Sequence, residues 1–306
     1  MTTFPADTHG ILLRREALAS GITDNQLARA ARSGQLVRIW TGAFVPRDRL
    51  PAKAVDLHRL RVRAAMDHSG ADQVVSHQSA ATLHGLEMLL PDLGRVHVTD
   101  GAARGGRIDA HKHAHNGALD AQEIVVVDGI RVTGLERTAV DVARSVGQFA
   151  PALSVCDSAL RLGADREPMT QMLAGRGAGV NLARYALGLA DPLSENPAES
   201  WGRAQMIAAG LPVPELQHAF HDDDGNLFAR ADYYWEGLVG EFDGFVKYEK
   251  LLGADQDASA VVVDEKIRED KIRRCGVVVV RWIWADLTAN RVVGILTPEL
   301  TRLGLI

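Results

Sequence analysis

The sequence predicts a multidomain α+β chain, and three observations carry that expectation. A helix, helix, hairpin order opens the chain, and the middle mixes helical and alternating segments. A helix, a three-strand meander, a second helix and a valine-rich strand close it as an α/β core. At 306 residues the chain exceeds what one core usually serves. The expected division is residues 1–50, a mixed α/β middle part over 51–190, and 191–306.

Thr8 reads as the N-cap of a short helix through Ala19, stopped by Gly21. Thr23 opens a second helix, TDNQLARAARSG, in which Leu27, Ala30 and Ala31 share a face and Gly34 ends the run. GQLVRIWTGAFVP follows as two short alternating runs about Thr41-Gly42, the pattern of a hairpin. This is the order of a compact winged helix-turn-helix. The stretch LARAARSGQLVRIWTGAFVP resembles the N-terminal winged helix of AbiEi-type antitoxins, a likeness that covers about residues 5–50. Such a module places its second helix in the major groove and its wing on the backbone. The resemblance implies Arg29, Arg32 and Arg38 as DNA-contacting residues. A solvated helix face, or a surface that docks a protein partner, is the other reading of the same residues.

Residues 51–75 read as helical, with Leu57, Leu60, Val62 and Ala65 as a mixed apolar stripe. VVSHQSAATLHGL reads as a helix ended by Gly85, with His77 and His84 as packing residues on one face. VHVTD and EIVVVDGIRVT read as strands, the latter turning at Asp128-Gly129. LERTAVDVARSV and PALSVCDSALRL read as amphipathic helices. This middle part also resembles AbiEi-like chains, through less specific motifs. In HKHAH, His111, His113 and His115 alternate, so a strand would turn all three to one side, where imidazoles can bind zinc. No cysteine or fourth ligand stands nearby in sequence, and the stretch is expected to be an exposed edge strand.

DPLSENPAES reads as a linker bracketed by Pro192 and Pro197. ESWGRAQMIAAG is then a helix stopped by Gly210, and LQHAF, LFARADYYW and GLVGEFDG are strands. A charged helix over about 257–274 ends at Gly276, before the buried strand VVVVRWIW. This is the core order of the PD-(D/E)XK nuclease fold.

Phosphodiester hydrolysis needs an activated water and a sink for phosphate charge, and carboxylate-held divalent ions supply both. Asp232 stands on one strand and Glu241 on the next, across the turn at Glu236-Gly237. Glu241 and Asp243 are one residue apart and so share a strand face. Three converging carboxylates repel unless a cation sits among them. The segments ARADYYWEGLVGEFDGFVKY and EKIREDKIRRCGVVVVRWIWADL resemble the endonuclease branch related to very-short-patch repair enzymes, over about residues 195–290. The resemblance implies a restriction-endonuclease-like core with Asp232, Glu241 and Asp243 holding Mg²⁺ or Mn²⁺. It also makes Glu199 an assisting acid on the helix before the sheet.

Asp243 occupies the position where many relatives carry lysine, so Lys247 becomes the nearest basic substitute, and Ala231 replaces the usual proline. Lys266 and Arg268, on the charged helix, are the candidate DNA contacts of this part; surface pairing with Asp270 and its neighbours is their other reading. Arg281, beside Trp282 and Trp284, has a structural and a site reading open to it.

Residues 1–63 carry a net charge of +6 and residues 191–306 a net of −8, within a total of −5. A basic front favours contact with phosphates; an acidic rear fits either a solvated surface or a cation site. An apolar share of 46% and a charged share of 24% exclude global disorder. No apolar run approaches the roughly 18 residues of a membrane helix, so no membrane partner is expected. The opening MTTFPADTHG lacks the pattern of a secretory leader, and Cys156 and Cys275 form neither a disulfide framework nor a zinc motif. A cytoplasmic protein is expected. The functional expectation is a Mg²⁺-dependent DNA endonuclease in defence or a toxin–antitoxin-like system. The alternatives are a non-catalytic DNA-binding regulator or antitoxin, and a protein-interaction module.

Overall fold

The computed structural model describes residues 4–67, 73–101, 106–244 and 268–306. They fall into two compact units, Met1–Leu86 with Leu90–Val142, and Glu87–Leu89 with Ala143–Ile306. Both mix helices with sheets, so the chain is a multidomain α+β protein. No described helix is long and apolar enough to cross a membrane.

The first unit opens with β1 (Leu12–Leu13), α1 (Arg14–Ala19), α2 (Asp24–Arg32), β2 (Leu36–Trp40) and β3 (Ala43–Pro46), its sheet ordered β1-β3-β2. The expected helix from Thr8 is shorter than read. The Asp7 carboxylate accepts hydrogen bonds from the backbone N–H groups of His9 and Ile11, and Gly10 turns left-handed at φ 82°. That turn delivers Ile11, Leu12 and Leu13 as an extended, buried run. Leu12 enters the core of α1, α2 and β2, while Ile11 and Leu13 enter a second core behind the sheet. The second helix begins as read: the Thr23 hydroxyl accepts from the Gln26 N–H, and the Gln26 side chain accepts from the Thr23 N–H.

Helix α3 (Ala54–Asp67) serves two cores. Leu57, Leu60 and Ala64 pack behind the winged helix, and Val62 and Ala65 pack on the next sheet. That dual role explains the broad, mixed stripe in its sequence. The helix ends at Asp67, and residues 73–75, read as helical, form strand β4 instead, because Val74 and Val75 are buried within a sheet.

That sheet adds β5 (Val96–Asp100), β6 (Arg107–Ile108), β7 (Lys112–Asn116), β8 (Ile124–Val127) and β9 (Ile130–Thr133), in the order β6-β7-β5-β4-β9-β8. Strands β5 and β7 run parallel, as do β4 and β9. Helix α4 (His77–His84) follows β4 and ends at left-handed Gly85. Asp128 and Gly129, at φ 49° and 79°, make the tight turn between β8 and β9. The HKHAH strand is not an edge: β7 lies between β6 and β5. Helix α5 (Leu135–Ser145) follows β9.

The second unit contains α6 (Phe149–Arg161), α7 (Arg166–Met172), α8 (Val180–Leu189) and α9 (Pro197–Ala208). A sheet of β10 (Glu215–His221), β11 (Leu227–Trp235), β12 (Leu238–Asp243) and β13 (Val278–Ile283) follows, then α10 (Trp284–Thr288) and α11 (Val292–Arg302). The first three strands form an antiparallel meander and β13 joins β12 in parallel, the order read from the sequence. Tyr233, Trp235, Leu238 and Trp282 pack one face against α9, α10 and α11. Gly240 leaves room for the Trp282 ring, since a Cβ there would lie 2.7 Å from it. On the other face Phe220, Val239 and Val279 meet Ile272. Of the expected charged helix, residues 268–274 are described and helical, followed by Gly276.

The stretch read as a linker is pinned. Asp157 on α6 is fully buried and paired with Arg203 of α9 at 2.6 Å. The same carboxylate accepts from the Asp191 N–H and the Ser200 hydroxyl. Burial raises the Asp157 pKa, while Arg203 and these hydrogen bonds oppose the rise.

Candidate nucleic-acid interface

The winged helix is built so that its second helix shows a polar, cationic face. Leu27 and Ala30 bury the inner face of α2, and Arg29 and Arg32 stand exposed on the other side. The guanidinium of Arg14, on the first residue of α1, clasps Asp24, on the first residue of α2, through bonds of 2.7 and 2.6 Å. This hydrogen bonding holds the Asp24 carboxyl below its ordinary range. One acid near the cationic face is thereby neutralised. Among the described residues Arg29 and Arg32 have no ion pair or side-chain hydrogen bond. Arg38 is exposed on β2, where its Nε–H makes a long 3.4 Å bond to the Trp40 carbonyl. All three arginines expected from the sequence are therefore available to an anionic partner on this module.

The C-terminal carboxylates are arranged differently. Glu241 is buried on β12 and sits opposite Arg281 in the parallel register with β13. Arg281 holds it at 2.7 Å, and Arg268 approaches at 3.5 Å. A further pair, Arg281 with Glu269 at 2.8 Å, extends the array. Asp232 accepts a hydrogen bond from the Phe242 N–H at 2.8 Å. Asp243 lies at the end of β12, opposite Ile283. Glu199 lies in the first turn of α9, which Asn196 caps, and accepts from the Glu195 N–H at 2.7 Å and also from Asn196 and Gln217. Lys247 and Lys266 lie outside the described residues. Among the described residues Asp232, Glu241 and Asp243 do not form a three-ligand group of metal-holding geometry. The mutual repulsion expected of these acids is answered by guanidinium groups around Glu241. Arg268 is partly exposed and approaches that array.

The residues that do gather are histidines. On β5 and β7, His97 pairs in register with His113, and Thr99 with His115, so His97, His113 and His115 share one face. His97 Nδ1 and His115 Nε2 are 2.9 Å apart in a hydrogen bond. The His77 ring stacks on His115 with centroids 3.5 Å apart. Burial lowers His77 to about 2, His97 to about 3 and His115 to about 4, with the neighbouring imidazoles adding repulsion; His113 is lowered too. His111 precedes the strand and meets Trp40 edge-on. The alternation in HKHAH pointed to this face, but His97 enters only through strand pairing. His84 has a local packing role, its Nε2–H donating to the Thr133 carbonyl at 2.7 Å.

Two segments of the chain match models of AbiEi antitoxin domains. Residues 2–39 match the family model described as "Transcriptional regulator, AbiEi antitoxin". Residues 62–189 match the model for the AbiEi antitoxin C-terminal domain. Two relatives from Mycobacterium tuberculosis, the uncharacterized proteins MT2308 (strain CDC 1551 / Oshkosh) and Rv2248 (strain H37Rv), are each 30% identical over 269 residues. Each alignment covers 81% of this chain and 93% of the relative. The chain belongs to the family of these mycobacterial proteins and carries both AbiEi antitoxin domains. The crystal structure of the RV2827C protein from M. tuberculosis aligns at 18% identity and a TM-score of 0.40, covering 71% of this chain and 84% of that one.

These matches overturn the endonuclease expectation. The domains identified are those of antitoxin regulators, and neither model describes a nuclease or a repair endonuclease. The strand order of the second unit is shared by many α/β cores, and fold alone does not bring chemistry with it. At Glu241, Arg281 and Arg268 supply countercharge from within the chain.

Proposed function

We propose that this protein is a non-catalytic DNA-binding transcriptional regulator of the antitoxin type. The observation that carries the reading is the set of three exposed arginines on one winged helix, Arg29 and Arg32 of them without an acidic partner among the described residues. Helix α2 enters the major groove, where Arg29 and Arg32 meet phosphates or base edges, and Arg38 lies near the backbone from the wing strand. A regulator of this kind works in the cytoplasm, where the DNA is. The family description also supports a protein partner, the toxin that an antitoxin restrains.

The test is fluorescence anisotropy with a duplex from the region upstream of the protein's own gene, repeated across a salt series. Each phosphate contact released by Arg→Ala lowers the salt slope by about one. The double variant Arg29→Ala, Arg32→Ala is expected to weaken binding and flatten the slope by about two. Binding that is absent, or equal in parent and variant, rejects the reading and leaves the winged helix as a protein-docking module.

A further inference from the structure

We infer that His97, His113 and His115 form a binding site for one divalent transition-metal ion, of the zinc class, in the six-stranded sheet of the first unit. This goes beyond the DNA-binding reading and rests on different residues, so either can fail alone.

The geometry comes from the sheet itself. Residues two apart on a strand face the same way, and a cross-strand partner in register faces the same way again. His113 and His115 supply the first relation, and His97 opposite His113 supplies the second. One nitrogen from each ring lies within 4.8 Å of the others. An ion about 2.1 Å from each nitrogen needs nitrogens about 3.4 Å apart, which small side-chain rotations reach. His97 and His115 are already closer than that, at 2.9 Å, joined by one shared proton that an ion would displace.

The surroundings hold the rings in place. His77 stacks on His115 at an interplanar angle of 11°, and its Nδ1 lies 3.0 Å from the Ser76 hydroxyl. His77 itself is held at φ 50°, a left-handed backbone that non-glycine residues adopt only when their surroundings enforce it. The His97 N–H donates to the Ser79 hydroxyl at 2.8 Å, and that hydroxyl also meets His58, which anchors β5 to α4. The three imidazoles are only partly buried, so an ion has a path from solvent.

The donor set selects the ion. Imidazole nitrogens suit Zn²⁺, Co²⁺, Ni²⁺ or Cu²⁺, whereas Mg²⁺ and Ca²⁺ require oxygen ligands. Three histidines leave a fourth position for water or an incoming ligand. Bound there, the ion ties β5 to β7.

The experiment uses the full chain without an affinity tag, stripped with chelator and titrated with Co²⁺, whose visible absorption reports coordination, and then with competing Zn²⁺. One equivalent of Co²⁺ is expected, with four-coordinate absorption, displaced by Zn²⁺ and insensitive to Mg²⁺. The variants His113→Gln and His97→Gln are each expected to lose affinity by more than the roughly 10–100-fold that an outer partner is worth. His9→Gln, exposed in the winged helix, is expected to bind as the parent does. His113→Gln removes only a partly exposed ring, and circular dichroism of each variant separates lost binding from lost folding. A parent that binds no Co²⁺ overturns the site, and so does a folded His113→Gln variant that binds it equally well.

Discussion

The winged helix and the C-terminal sheet both carry the residues that make a chain look like a nucleic-acid protein, yet they treat charge in opposite ways. On the winged helix, Arg14 and Asp24 neutralise each other while Arg29 and Arg32 stand exposed beside them without a partner among the described residues. In the second unit, Glu241 is enclosed by Arg281 and Arg268, and Asp157 by Arg203 and two hydrogen bonds. A charge left in water costs the fold little and remains available to a partner. A charge taken from water must be matched within the protein. The difference teaches that acids and bases in a suggestive order become a site only where the fold leaves them unmatched.

The largest effect that sharpens this contrast is expected at Arg203. Replacing it with alanine strands the Asp157 carboxylate in a fully buried position, and loss of one member of a buried pair costs about 3–5 kcal/mol. Urea unfolding of parent and variant measures it, and a loss below about 1 kcal/mol would mean that the pair is not the clasp between α6 and α9.

A smaller effect belongs to the buried histidine of the first unit. His58 is held neutral at about 4 by burial, with Arg61 adding to the depression, and the Leu93 carbonyl and Asp92 opposing it. Its Nδ1–H donates to the Leu93 carbonyl and its Nε2 accepts from Ser79. Below its ordinary value of 6.5 the unfolded chain takes up a proton that the folded chain refuses. Stability is therefore full above about pH 7 and falls as the pH drops towards 4, by about 1–3 kcal/mol for this group. His58→Asn should flatten part of that slope in unfolding measured between these limits. An identical slope would exclude His58 as a source of it.

At Glu241 the two readings of the acids predict opposite signs. An acid kept for a metal repels its neighbours, and Glu241→Gln would then leave the metal-free protein unchanged or more stable. An acid matched by Arg281 and Arg268 contributes to stability, and the same substitution costs about 1 kcal/mol, the lower figure reflecting two partly exposed guanidiniums. Thermal unfolding in chelator decides between them.

The smallest stability effect is expected where the largest binding effect lies. Arg29→Ala with Arg32→Ala should change unfolding free energy by no more than about 0.5 kcal/mol, since both side chains end in solvent. Combined with a flattened salt slope, that near-silence would mark the pair as kept for a partner. A loss of several kcal/mol would instead give the arginines a structural duty and break the contrast.

Much of the architecture was legible in the chain. Thr23 with Gln26 announced α2, Thr41-Gly42 and Asp128-Gly129 announced hairpins, and Gly85 and Gly210 announced helix ends, because caps and turns depend on neighbours in sequence. Helix, meander, helix and strand in the second unit were legible for the same reason, through periods of 3.6 and 2. So were the exposed Arg29 and Arg32 of the winged helix, whose exposure follows from the apolar face on the other side of one short helix. Tertiary structure alone decided which charges were spent. Arg281 stands forty residues from Glu241, and Arg203 forty-six from Asp157, and each pair meets only through the packing of distant elements. The same holds for His97, eighteen residues from His115, which strand pairing brings to a 2.9 Å contact. Local periodicity tells a residue which way to face; the partner that awaits it there is chosen by the register of strands and the docking of helices, which no local pattern encodes.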